Sequence, residues 1–198
     1  GFDRYRTEGG ISFRPSASGS KLTVNIVGDN RLGCVHYSNN DKDNGNELIF
    51  KGAGSLTVAN TDFWKKTENG ITGYYRNRSC SVIGSADYLP NSSKDDHAYN
   101  ITIESGIIYA GATKAEFCTA IGGGGNGNST ITIKGGTVIA VASGTGTAIG
   151  GGSGMSQAGG EGTVTIEGGN VYAYNHANVI NIPSSAIGGA GSKNDIGS

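Results

Sequence analysis

Ala120-Ile121-Gly122-Gly123-Gly124, AIGGG, recurs at Ala148 to Gly152 and, as AIGGA, at Ala186 to Ala190. Glycine loses more backbone freedom on folding than any other residue, which costs about 0.5–1 kcal/mol relative to alanine inside a regular element. A fold that keeps such runs must need them for positive φ or for close approach of backbones. Each run closes a longer unit: ITIESGIIYA from Ile101, ITIKGGTVIA from Ile131 and VTIEGGNVYA from Val164 align residue for residue. Their starts lie 131 − 101 = 30 and 164 − 131 = 33 residues apart. Self-similarity at that period marks a stacked repeat architecture. Two worn copies come earlier, LIFKGAGSLTVA from Leu48, reaching SVIGS at Ser81 to Ser85, and LTVNIVGDN from Leu22.

Inside a unit the pattern has period two. Ile131 and Ile133 point one way and Thr130 and Thr132 the other; Gly135-Gly136 turns the chain, and Val138 and Ala140 face inward again. A helix does not accept this broken alternation, and antiparallel ribbons would need a tight turn between every pair of strands. Parallel stacking of coils remains: each coil lends short strands to the same strands above and below, so that inward Val, Ile and Leu bury one another in columns. Ile121, Ile149 and Ile187 then plug the third side of the core. The expected fold is all-β, a right-handed parallel β-helix (β-solenoid) with coils of about 30 residues. It forms one domain over residues 1–198, with two protruding loops at about 60–79 and 85–99.

Composition narrows the function. Fifteen basic and sixteen acidic residues leave a net charge of −1, so no long-range field draws nucleic acid. No apolar run approaches the roughly 18 residues of a membrane span, so no membrane insertion is expected. The opening GFDRYRTEGG lacks a signal-peptide core and reads as a piece excised from a larger surface protein. Cys34, Cys80 and Cys118 are odd in number and without a CxxC. Cys80 and Cys118 each precede a third-side isoleucine by three residues, which predicts neighbouring but unbridged thiols. His36, His97 and His176 fall in unrelated loop contexts with no nucleophile beside them, so the chain reads as no enzyme.

The outer faces carry the candidate site. Outward positions of the second strand stack Tyr109, Ile139 and Tyr172, flanked by Ile107, Val141 and Tyr174. Such a stripe either takes a flat ligand, since the apolar face of a sugar stacks on tyrosine, or is covered by a loop or a neighbouring domain. Trp64, Tyr74, Tyr75 and Arg76 in the first long loop add aromatic platforms and a guanidinium; packing of that loop on the solenoid is the other reading. NNDKDNGNE, Asn39 to Glu47, gathers Asp41, Asp43 and Glu47, oxygen ligands of the kind calcium takes; its glycine is misplaced for an EF-hand, and a solvated turn is the simpler reading. No other cofactor is indicated. A Thr-x-Thr ladder like those of ice-binding solenoids is short and broken by Ile49. After each first strand stand Lys51, Glu104, Lys134 and Glu167, which predicts neighbours of alternating charge and ion pairs along one edge.

KLTVNIVGDN, GAGSLTV and the unit ITIxGGxVxA…AIGGG together resemble β-helical modules of secreted and wall-anchored proteins of clostridia and related gut Firmicutes, from about Ile11 onward. The resemblance implies a right-handed helix, an extracellular or bacterial cell-surface setting, and polysaccharide binding, with calcium in some members. It carries over no ligand residue. The expected function is a monomeric, non-catalytic binding module for glycan. The alternatives are an adhesin recognising a host secreted or immune protein through the Trp64 loop, and a stalk without a ligand.

Overall fold

The computed structural model describes residues 10–37, 45–59, 63–68, 71–76, 81–85, 98–112, 119–124, 127–153, 159–176 and 184–190. Strand β1 (Gly10–Phe13) leads into coils of three strands. The first holds β2 (Lys21–Ile26), β3 (Asp29–Leu32) and β4 (Cys34–Tyr37). The second holds β5 (Glu47–Gly52), β6 (Ser55–Ala59), an inserted β7 (Phe63–Glu68) and β8 (Ile71–Arg76), and then β9 (Ile83–Ser85). The third is β10 (Ala98–Ile103), β11 (Ile107–Ala112) and β12 (Ile121–Gly122). The fourth is β13 (Asn128–Ile133), β14 (Thr137–Ser143) and β15 (Ile149–Gly150), and the fifth β16 (Gly162–Ile166), β17 (Asn170–His176) and β18 (Ile187–Gly188).

Equivalent strands stack in coil order into three parallel walls. The first wall is β2-β5-β10-β13-β16, the second β3-β6-β11-β14-β17 and the third β1-β4-β9-β12-β15-β18. This is the parallel β-solenoid expected from the repeat. The aligned units are in register, Leu22 with Leu48, Ile101, Ile131 and Val164 along the first wall. Ile11, Val35, Ile83, Ile121, Ile149 and Ile187 form one column on the third. Period-two alternation sends Leu48, Phe50, Ile101, Ile103, Ile131, Ile133, Val138 and Ala140 into the core, all at 0–1 % exposure. Burial of each aliphatic side chain is worth about 1.5–3 kcal/mol before conformational entropy opposes it.

The glycines of the opening motif stand where two coils touch. Gly84, Gly122, Gly150 and Gly188 follow the third-wall isoleucines, pair in register and have φ of 131°, 133°, 141° and 117°. A Cβ on Gly84, Gly122 or Gly150 would meet the carbonyl oxygen of the glycine one coil on, closer than any real Cβ sits. Positive φ and the absence of room therefore both demand glycine. A second column, Gly106, Gly136 and Gly169, turns the corner between the first and second walls at φ of 98°, 82° and 86°.

Two boundaries differ from the sequence reading. The stretch 60–79 holds more than loop: β7 and β8 pair antiparallel from Phe63–Arg76 to Glu68–Ile71. Asn69-Gly70 separates them in sequence, a dipeptide that marks two-residue hairpins. The second insertion is shorter than 85–99, because Ser85 ends β9 and Ala98 already begins β10. Cys34 is buried on the third wall, while Cys80 and Cys118 lie outside the described residues. Their neighbours stack as expected, with the Val82 amide donating to the Thr119 carbonyl at 3.0 Å.

Alanine at a third-wall glycine and at Gly19, which lies outside these corners, should separate crowding from backbone conformation. Gly150→Ala meets both penalties and should cost about 3–5 kcal/mol in chemical denaturation. Gly19→Ala, at φ 74° with nothing within 4 Å of the added methyl, should cost only about 1–2 kcal/mol. Equal losses would mean that the coil contact does not select the glycine.

Candidate functional site

The outer face of the second wall is set by the same alternation that fills the core. With Val171, Ala173 and Asn175 turned inward on β17, Tyr172, Tyr174 and His176 stand outward in a row. Register then builds columns across the coils. Tyr172 stacks on Ile139, Tyr109, Thr57 and Arg31, while Tyr174 stacks on Val141 and Gly111. The expected aromatic-aliphatic stripe is therefore continuous over three coils.

Its exposure is graded. Tyr172 and Tyr174 are 48 % and 49 % exposed, whereas Ile139 and Val141 are half-buried beneath them. The ring of Tyr109 leans along its own strand over Gly111, where an added Cβ would lie 3.2 Å from the ring edge. Glycine at 111 thus gives the ring its seat. Residues i and i+2 on a strand stand about 6.5–7 Å apart, so Tyr172 and Tyr174 present two adjacent rings at the rim of the wall. What the stripe can do chemically is offer stacking surface with phenol hydroxyls at its edge.

Sequence reasoning missed two parts of this surface. His176, read as a loop residue, ends β17 and is exposed beside Tyr174, and the unbroken alternation through Asn175 was its signal. His36 likewise belongs to a strand, β4, and is buried at 7 % exposure; His97 lies outside the described residues. The second missed feature is a groove of about 490 Å³ at the corner between the first and second walls, where Val27 is 74 % and Ile107 51 % exposed. Its rim is fixed by Ser55, whose hydroxyl donates to Asp29 Oδ1 at 2.6 Å, and by the Asn30 amide, which donates to the carbonyls of Val27 and Gly28.

For the ribbon the backbone pairs Trp64 with Tyr75, Lys65 with Tyr74 and Phe63 with Arg76. Of the calcium set, Asp41 and Asp43 lie outside the described residues. Both oxygens of Glu47 are already engaged: Lys21 Nζ donates to Oε2 at 2.8 Å and the Thr102 hydroxyl to Oε1 at 2.5 Å. Among the described residues no three metal-binding side chains gather. Partial burial pushes the Glu47 carboxyl up, but the bonds from Lys21 and Thr102 and the charges of Lys21 and Lys134 outweigh it and hold the group below its ordinary value. The edge ladder keeps its register, since the amides of Glu104, Lys134 and Glu167 donate to the carbonyls of Phe50, Ile103 and Ile133. Its side chains, however, close no ion pair among the described residues; the pair that forms on this wall is Lys21–Glu47.

Comparison with family models, with curated proteins and with solved structures found no match. The geometry alone therefore defines the class: a parallel β-solenoid with a polar first wall and an aromatic rim on the second.

The Glu47 contacts predict a pH signature. A carboxyl whose folded pKa is depressed stabilises the fold above its unfolded value and loses that contribution as pH falls through the folded value. Glu47→Gln should cost up to about 1 kcal/mol at pH 7, as a surface pair does, with the gap between the two melts closing below about pH 4. A gap that stays constant down to pH 3 would show that the carboxylate charge contributes nothing.

Proposed function

We propose that this chain is a non-catalytic binding module of a bacterial surface or secreted protein, and that it takes glycan on the second wall, across Tyr172 and Tyr174. The observation that carries the reading is the pair of half-exposed rings in register with Ile139, Val141 and Tyr109. A contiguous apolar stripe on a soluble surface marks an interaction site, and tyrosine joins a flat apolar face to a hydroxyl that can pair with sugar hydroxyls. The sequence resemblance to β-helical modules of wall-anchored clostridial proteins supports the same reading, and the extracellular setting is part of the proposal. His176 at the end of the row offers a further polar contact for a ligand lying along β17. No chemistry on the ligand is required by this arrangement.

Tyr172→Ala tests it, read by a glycan array and by melting. Truncating an exposed side chain should change stability by no more than about 1 kcal/mol. Losing one stacking ring should cost about 0.5–2 kcal/mol of binding, or roughly two- to thirtyfold in affinity for the glycan that scores on the array. Tyr174→Ala should behave alike, while removal of residues 60–79 should leave glycan affinity unchanged. An unaltered affinity in both tyrosine variants would remove the site. Binding only to a host protein, and lost with residues 60–79, would transfer the function to the segment that holds the ribbon.

A further inference from the structure

The groove at the corner between the first and second walls is built from three successive coils, and its chemistry is ordered along its length. One side belongs to the first coil, where Asn25 near the end of β2, then Val27, then Asp29 at the start of β3 follow one another around the corner. The other side is Ile107 on the third coil. The second coil supplies the floor with Gly54 and Ser55, and register places Ser55 between Asp29 and Ile107. The two sides therefore stand two strand spacings, about 9.6 Å, apart at the backbone. The floor stays bare because a Cβ on Gly54 would collide with the Gly28 carbonyl. Val27 and Ile107, the two most exposed large aliphatics among the described residues, flank the slot that results.

The polar groups around the slot select the charge of what can enter. The Ser55 hydroxyl is committed to Asp29 Oδ1 at 2.6 Å, and the Asn30 amide to the carbonyls of Val27 and Gly28. Asp29 Oδ2 remains as an acceptor, and the described lining holds no basic side chain, so the groove favours a cation over an anion. With Oδ1 already bonded, the carboxylate offers one oxygen, which suits a compact ammonium better than the paired donors of a guanidinium. Beyond the carboxylate comes the aliphatic slot, and beyond that the exposed Asn25 amide, which can both donate to and accept from a peptide group. Ammonium, methylene stem and peptide backbone follow in that order along a lysine residue.

We propose that this groove docks a lysine from an extended segment of a partner protein, with Nζ on Asp29 Oδ2, the stem between Val27 and Ile107, and the backbone against Asn25. The site is separate from Tyr172 and Tyr174 and does not rest on glycan binding there. The corners of the fourth and fifth coils, Gly135-Gly136 and Gly168-Gly169, carry no side chain that could flank such a slot, so the docking is confined to the first three coils.

The test titrates the blocked peptide acetyl-Gly-Gly-Lys-Gly-Gly-amide into the whole chain and follows methyl and amide chemical shifts. The Val27 and Ile107 methyl resonances should shift and saturate below about 10 mM peptide. Peptides with ε-acetyl-lysine or norleucine at the centre should bind at least about threefold more weakly, and the arginine peptide should rank between them and lysine. Asp29→Asn, which keeps an acceptor for Ser55, should weaken the lysine peptide about three- to fivefold and abolish the salt dependence of its binding. Ile107→Ala should weaken it to a similar degree and leave the salt dependence in place. Both positions are exposed, so both variants should melt with the parent. Lysine and norleucine peptides that bind alike, or an Asp29→Asn chain that binds the lysine peptide as the parent does, would overturn the proposal. An absence of methyl shifts up to about 10 mM peptide would also overturn it. So would glucosamine that saturates the same shifts at a lower concentration than the peptide, by giving the groove to a sugar.

Discussion

The structure depends on how closely one coil's backbone can approach the next at the third wall. Gly84, Gly122 and Gly150 each hold φ above 130° and each point their bare Cα at a carbonyl oxygen one coil on. Any side chain there would prise the third wall open and take Ile83, Ile121 and Ile149 away from one another. Those isoleucines close the core that the first and second walls enclose on their own sides. The entropy glycine loses is thus offset by a contact no other residue could make, and the contact recurs with every coil.

Once the coils stack in register, parity divides the labour of the walls. On the first wall, outward positions carry Thr130, Thr132, Thr163 and Thr165 with the charged edge, β-branched or solvated groups that tolerate water. On the second, the same outward parity carries Tyr109, Ile139, Val141, Tyr172 and Tyr174, whose side chains lie outside the core. The aromatic rim therefore follows from the outward register of the second wall and not from core packing. Its most exposed members sit on β17, the last strand of its wall, where no further strand crowds them among the described residues.

Much of this was legible in the sequence because a repeat prints the same physics several times. The residue-for-residue match of the units from Ile101, Ile131 and Val164 sets the register, and it places Tyr109, Ile139 and Tyr172 in one column. Features that occur once were harder to read. The ribbon of β7 and β8 has no second copy to align with, and its Asn69-Gly70 signal sits among polar residues that also suit a loop. The edge charges show the limit of register: backbones place Glu104 beside Lys134, but exposed side chains are free to prefer water, and the pair that closes is Lys21–Glu47, where partial burial and Thr102 hold the carboxylate. His176 was lost because a strand end carries no marker of its own beyond alternation.

The central claim is that each unit winds on to a new level instead of folding back on itself. Nuclear Overhauser contacts among outward side chains test it most directly. In the solenoid Thr132 stands between Thr102 and Thr165 on the first wall, one strand spacing of about 4.8 Å from each, while Ile139 looks out from a different wall. If β13 and β14 instead closed as a hairpin around Gly135-Gly136, Thr132 and Ile139 would lie opposite each other on one face. The account predicts a methyl contact chain from Thr102 through Thr132 to Thr165 with none from Thr132 to Ile139; a Thr132–Ile139 contact without that chain would contradict it.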